Sequence, residues 1–537
     1  MKKLALMAAL ALTFALPASA AQIDVDKATI AEINAAFDAG TLTSEQLVQM
    51  YLARIEAYDK QGPKLHAVIT LNQKALETAR ALDAERKAKG KRSLMHGIPG
   101  VLKDNMDTSD MPTTAGSVLL EGWIPPKDAF TVKKLRDAGA IILAKVNLSE
   151  FATGGANSSL GGQSLNPHDL SRTPAGSSGG TGVAVAAAFG QLGFGTDTGG
   201  SIRGPSAANG IVGLKTTMGL VSRGGVIPLT LSFDTVGPMA RNVSDIAAVL
   251  GVVAGVDPAD AVTKTGKAES DYMKYLKTGA FKGARIGIAR DFMEGDAEVI
   301  WSIEAALDLM KEQGATIVDV KFPKWLLDTK QEYYMALRYP EFASQVTEYL
   351  SHTGPGYPKS IAELIDRAKK YQSLGTAGVG PNPSRWFVFK READAAGIDS
   401  YQYKAVKEFG MPAVRAVVNG IFETEKLDAI VYPTSARRPG LTAMAEPSAI
   451  GGGGATVIAN LSGIPDLIVP AGFTSDDLPI AISFWGPHFS EGKLLSLGYS
   501  FEQATLVRRL PVHAPPLVGQ IVSVNEPTPA TRAKAGQ

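Results

Sequence analysis

The sequence predicts an α/β protein in which short buried strands alternate with covering helices. Strand-length apolar runs and helix-length amphipathic stretches follow one another before residue 150 and again after residue 280, the pattern of a layered α/β core. Several of the strand runs are apolar throughout rather than alternating, as strands covered on both faces are. No internal repeat, charge block or long low-complexity tract interrupts the 537 residues.

Taken in order, the spacing predicts helices over 31–37 and 44–58, joined at a Gly40 turn. Thr43 and Gln46 stand three apart, as a capping box for the second helix requires. Residues 66–71 alternate like a strand, and 72–89 has helical composition with few breakers. The run 98–102 reads as a short buried strand, 129–138 as a helix and 140–144 as another buried strand. The theme returns at 284–289 (strand), 299–311 (helix) and 316–320 (strand), with Val299, Ile300, Ile303, Ala306, Leu307 and Met310 on one helical face. Aromatics, Pro-Gly turns and charges dominate 321–410, which predicts an elaboration laid over the core. Strands resume at 429–432, 466–469 and 480–485, and the prolines from Pro515 onward predict a surface tail.

The first twenty residues stand apart. Lys2 and Lys3 precede the apolar run 4–16, followed by Pro17 and Ala18-Ser19-Ala20, the pattern of a secretory signal peptide cut between Ala20 and Ala21. A membrane anchor would need about 20 apolar residues, so the mature chain is expected free of the membrane, in the periplasm or outside the cell. The chain carries 54 Lys and Arg against 53 Asp and Glu, a balance that offers no field to hold nucleic acid or an anionic membrane. It has no cysteine, which excludes disulfides, thiolate metal sites and a cysteine nucleophile. Gly193-x-Gly195 followed by Gly199 lacks the spacing of a dinucleotide loop. Neither a metal nor a cofactor is expected.

The chemistry concentrates in residues 175–204. Ala175-Gly176-Ser177-Ser178-Gly179-Gly180 opens the segment, and Gly195-Thr196-Asp197-Thr198-Gly199-Gly200-Ser201-Ile202-Arg203-Gly204 closes it. Two serines framed by glycines lie 24 residues apart, and glycine lets a substrate approach the backbone closely. The amides of Thr198, Gly199, Gly200 and Ser201 are therefore candidates for an oxyanion hole. A flexible Gly-Ser linker is the bland alternative, but 183–189 and 211–214 on either side are apolar and should be buried. A serine attacking an amide needs a base. None of the six histidines falls in a recognisable triad pattern, whereas Lys103 directly follows the apolar strand 98–102, where burial would lower its pKa. A strand-end lysine is more often solvated or paired, here with Asp104.

These residues resemble the amidase signature family. The likeness spans nearly the whole mature chain through five ordered markers: Lys103-Asp104-Asn105, the Gly-Ser-Ser-Gly-Gly loop, the segment ending Gly200-Ser201-Ile202-Arg203, Gly213-Leu214-Lys215-Thr216, and Gly463-Ile464-Pro465-Asp466-Leu467-Ile468-Val469-Pro470. The resemblance implies a large mixed central β-sheet covered by helices on both faces. It implies amide C–N hydrolysis with Ser201 as nucleophile, Ser177 as bridging serine after a cis peptide from Gly176, and Lys103 as base. It also implies a structural Asp197–Arg203 ion pair, and Ser178 is placed to support the network. Residues 1–20 are then the leader and 21–537 one domain, with a catalytic core over about 80–320, an elaboration over about 321–410 and sheet completion over about 411–513. Ala175 departs from the glycine more usual in the family. The segment 219–241 looks most like the bacterial peptide amidases, which implies a small-molecule or peptide amide substrate.

Two other readings stand beside this one. Gly176-x-Ser178-x-Gly180 also fits the elbow of a Ser-His-Asp esterase, and a periplasmic solute-binding protein would share the leader, the size and the layering. Tyr333, Tyr334, Tyr357, Trp386 and Phe387 are candidates to line an apolar pocket, although packing the elaboration is the commoner use of any one of them.

Overall fold

A computed structural model describes residues 21–373, 383–442 and 455–524, so the predicted leader lies outside the described residues. In chain order the strands are β1 (Ala21–Asp24), β2 (Val68–Leu71), β3 (Pro99–Lys103), β4 (Ile141–Val146), β5 (Asn157–Ser158), β6 (Gly162–Gln163), β7 (Leu192–Asp197) and β8 (Val212–Lys215). They continue as β9 (Thr235–Ala240), β10 (Arg285–Ala289), β11 (Thr316–Val320), β12 (Ala429–Pro433), β13 (Asp466–Phe473), β14 (Pro479–Trp485) and β15 (Ile521–Val524). Eleven of them form one mixed sheet in the order β11-β10-β12-β14-β13-β8-β9-β7-β3-β4-β2. β3 runs parallel to both neighbours, β4 and β7, and β10 runs parallel to β11 and β12. Every pairing from β12 across to β7 is antiparallel. This is the large mixed sheet that the resemblance implies.

The central strands are buried along their whole length. Covered on both faces, they have no reason to alternate. At the sheet edge β11 is mostly open. Capping boxes start the helices Ile30–Asp38, from Thr29 and Glu32, and Ser44–Arg54, from Thr43 and Gln46. The second gives way at Ile55 to a wider π turn, whereas periodicity alone suggests one continuous helix to residue 58.

Two expectations change. β7 and β9 are not legible as strands, because Gly193, Gly195, Gly237 and Pro238 break their apolar texture. The chain after Pro515 is not simply a surface tail. β15 pairs antiparallel with β1, and the buried Arg54 donates to the carbonyls of Ala514 and Pro515 and to Gln520 while pairing with Asp26 at 3.0 Å. The elaboration after 320 is helical: Lys324–Ser351, Ile361–Ser373 and Pro383–Ala393 precede Met411–Glu425. β3 and β7 end side by side, Lys103 closing one and Asp197 the other. The carboxyl ends of parallel strands are where open α/β sheets carry their ligands.

Candidate active site

Lys103 is fully buried. The register sets Leu102 beside Phe194, so the lysine reaches the last residues of β7. Its Nζ donates to Thr196 Oγ1 at 2.8 Å, to the Thr196 carbonyl at 3.3 Å and to Ser177 Oγ at 2.7 Å. Asn105 Nδ2 donates to the same threonine hydroxyl at 3.1 Å. These partners are all neutral oxygens. Asp104, the ion-pair partner that sequence suggests for Lys103, is taken by Lys145 at 2.9 Å. Burial pushes the Lys103 amine down to about 7, against the weaker pull of Asp197 and Asp234. A large share of the amine therefore carries a free lone pair at neutral pH.

Ser177 follows a cis peptide from Gly176 and is buried in front of Lys103. Ser178 ties the two serine loops together. Its amide donates to the Ser201 carbonyl at 3.2 Å, and its hydroxyl donates to the Thr196 carbonyl at 3.2 Å. Gly195 makes this possible, since a Cβ there would stand 2.7 Å from Ser178 Oγ. With its hydroxyl committed to β7 and fully buried, Ser178 is a strut rather than an exposed nucleophile.

Asp197 organises the second loop. Its carboxylate accepts the amides of Gly200 and Ile202, each at 2.9 Å, and Asn460 Nδ2 at 3.0 Å. Arg203 grips it through Nη2 at 2.8 Å and Nε at 3.1 Å, and reaches Asp466 at 3.2 Å and the Thr456 carbonyl at 2.9 Å. Burial alone would raise the Asp197 carboxyl, but Arg203, Asn460 and the amides outweigh it and hold the group well below the usual carboxylate range. The ion pair implied by resemblance is therefore present. Of the four amides expected to form an oxyanion hole, the Gly200 N–H donates to Asp197 Oδ1 at 2.9 Å, and one N–H makes one strong bond. The candidate donors narrow to the amides of Thr198, Gly199 and Ser201. Thr198 is itself pinned by a 2.5 Å bond from its hydroxyl to Asp234.

A cavity of about 910 Å³ opens over Ser177, Gly199, Gly200 and Ser201. Lys103 lies behind its wall. None of the six histidines borders it; His96, His168 and His488 are tied to backbone carbonyls elsewhere. Of the five candidate aromatics, Tyr334 lines the cavity and stacks on Phe233 with ring centroids 5.1 Å apart. Tyr333 and Trp386 pack into apolar clusters, Tyr357 leans on Trp123, and Phe387 is exposed.

Sequence reasoning passes over Asn105, Thr196, Asp234, Asn460 and Asp466 as site residues. The first two sit inside the motifs around Lys103 and Ser201 and could have been found there. Asp234 and Asp466 lie in segments singled out above, 219–241 and 463–470, without a sign of their partners, and Asn460 arrives from a distant segment with no local signal. Lys215, like Lys145, is fully buried, and burial pushes its amine down to about 8. It donates to the Ile464 and Thr216 carbonyls and stays away from the cavity, so a lowered amine alone does not mark a base.

A family model described as Amidase matches residues 46–495. A glutamyl-tRNA(Gln) amidotransferase subunit from Thermoanaerobacter pseudethanolicus is 36% identical over 89% of this chain and 96% of its own length. A probable amidase of Arabidopsis thaliana is 34% identical over 91% of this chain and 92% of its own. Among solved structures, native peptide amidase from Stenotrophomonas maltophilia is 37% identical, superposes with a TM-score of 0.83, and is matched over 91% of this chain and 99% of that one.

Ala175, on the cavity wall, holds a left-handed φ of 58°, a conformation that strains any residue with a Cβ. Ala175→Gly is expected to stabilise the protein by about 0.5–1 kcal/mol in denaturant unfolding. A measured loss would mean that the methyl's packing outweighs the strain.

Proposed function

The chain belongs to the amidase family, and on that premise we propose that it hydrolyses carboxamides through an acyl-enzyme on Ser201, with Ser177 and Lys103 as the proton relay. The carrying observation is the 2.7 Å contact between a buried lysine amine and Ser177 Oγ, beside a Ser201 that faces the same cavity. Once Lys103 is neutral the contact serves in reverse: the Ser177 hydroxyl donates to the amine's lone pair. Thr196 helps, because its hydroxyl and its carbonyl accept the two remaining N–H bonds of the neutral amine and leave the single lone pair to Ser177.

Lys103 takes the proton of Ser177 as Ser177 takes that of Ser201, whose oxygen bonds to the carbonyl carbon. The carbonyl π pair moves onto oxygen, where the Thr198, Gly199 and Ser201 amides receive it. As the C–N bond breaks, the nitrogen takes a proton back through Ser177 from the lysine ammonium. Water then attacks the ester by the same relay run again, releasing the carboxylate and freeing Ser201. A histidine base has no support at this cavity.

Peptide C-terminal amides, or aryl and alkyl amides, are the proposed substrates, and their bodies would occupy a cavity much larger than an amide group. The likeness to peptide amidase supports this choice. The leader motif supports export to the periplasm or beyond.

Below pH about 7 the base is protonated and cannot accept a proton. kcat/KM is therefore expected to fall about tenfold per pH unit on the acid side and to level off above it. Lys103→Ala should abolish turnover, Ser201→Ala should abolish the fluorophosphonate adduct, and replacement of each histidine should leave activity in place. A flat acid limb in the wild-type enzyme would remove Lys103 as base. Incubation with a mixed set of amidated peptides, aryl amides and esters is expected to yield free acids from the amides. Cell fractionation should recover the enzyme in the periplasm, beginning at Ala21 by intact mass, and a cytoplasmic enzyme that keeps residues 1–20 would overturn the export reading.

A further inference from the structure

The loop 149–154 touches Ser177, and the proposed relay gives it no part. The Ser149 amide donates to the Ser177 carbonyl at 2.9 Å, and Ser149 Oγ closes the loop by donating to the Gly154 carbonyl at 2.7 Å. The loop lies so close to Gly176 that a Cβ there would stand 2.5 Å from Ser149 Oγ and 2.9 Å from the Gly154 carbonyl. Two consecutive residues in it, Phe151 and Ala152, hold left-handed φ values of 49° and 57°. Such a pair persists only where the surroundings over-determine it.

Those surroundings come from the elaboration. Arg338, on the helix Lys324–Ser351, donates from Nη2 to Thr153 Oγ1 at 2.6 Å. Its guanidinium pairs with Glu392 at 2.9 Å, and Arg385 holds the same carboxylate at 2.7 Å. Arg385 also stands over the rings of Phe389 at 3.9 Å, Phe342 at 4.5 Å and Phe151 at 5.7 Å. All three charged side chains are buried. Glu392 is not part of the cavity wall.

We propose that Ser149 is a positioning residue for Ser177, and that the Arg338–Glu392–Arg385 cluster is the strut by which the elaboration holds the Ser149 loop in place. The inference rests on the proposed relay. It makes the helical elaboration part of the catalytic geometry rather than only a wall for substrate. Relaxation of the loop, whose residues 152–154 also line the cavity, would move the bridging serine between its two partners while leaving the core intact.

Thr153→Val removes the acceptor of Arg338 with little change of shape, and Glu392→Gln weakens the strut from a position away from the cavity. Each is expected to lower kcat about tenfold to a hundredfold, the scale of a small misplacement of reacting groups. The rate of fluorophosphonate addition to Ser201 should fall in parallel, with KM within about twofold of wild type and the circular dichroism unchanged. Thr153→Ser should restore the rate. Should Glu392→Gln fail to fold, the Thr153 pair decides the matter alone. A wild-type kcat in Thr153→Val, a loss confined to KM, or no rescue by serine overturns the coupling. An active Ser177→Ala enzyme would instead overturn the relay on which it rests, so the two failures are distinguishable.

Discussion

A lysine amine stripped of water and left without an ionic partner is the condition on which the site rests. Sequence puts a carboxylate next to it, and an Asp104 paired with Lys103 would keep the amine protonated at any ordinary pH. The sheet prevents this. Parallel pairing of β3 with β4 sets Lys145 beside Leu102, and Lys145 takes Asp104 while also donating to the Thr113 hydroxyl. Lys103 is then left to Ser177 and Thr196. As the proposed base, Lys103 owes its basicity range to a neighbouring strand that supplies a rival cation.

A second charge problem is solved in the same way. Asp197 must be ionised to gather the Gly200 and Ile202 amides and hold the Ser201 loop, yet a negative charge near Lys103 favours the wrong protonation state. Arg203 holds Asp197 ionised, and burial outweighs the upward pull that Asp197 still exerts on the Lys103 amine. Asp466 is bound to the same guanidinium and is further satisfied by Tyr432 and Trp485. Such a buried cluster adds little stability over an apolar equivalent, but removal of one member costs about 3–5 kcal/mol. Its value here lies in the loop shape it imposes. The same shape turns the Gly200 amide toward Asp197.

Much of this is legible in the sequence, and the rest is hidden for definite reasons. Largely apolar runs locate β3, β4, β10, β12 and β14, because double-sided burial writes itself into composition. β7 and β9 escape, since strands that pass close beneath a catalytic loop need glycine, and glycine reads as a breaker. Ser177, Ser201, Lys103 and the Asp197–Arg203 pair all lie in short motifs, so residue type and order are enough to bring them forward. Asn460 and Asp466 complete that pair from more than 250 residues away, a distance that no periodicity spans. The β1–β15 pairing joins the two ends of the described chain, and the prolines around it conceal a strand.

The arrangement separates chemistry from fit while leaving a mechanical link between them. Relay and ion cluster belong to strand ends and loops of the sheet, where burial sets the protonation states. The cavity's outer walls come from Leu229, Phe292, Tyr334 and the chain from Tyr432 to Leu441, none of which touches Lys103. Contacts made there to the body of a substrate can be spent on orienting its carbonyl over Ser201. Because the helix that bears Tyr334 also bears Arg338, any change of wall that shifts this helix also shifts Thr153, and through it the loop beside Ser177. On the coupling proposed above, specificity and rate share one helix, and the walls can be reshaped only within the tolerance of Ser177.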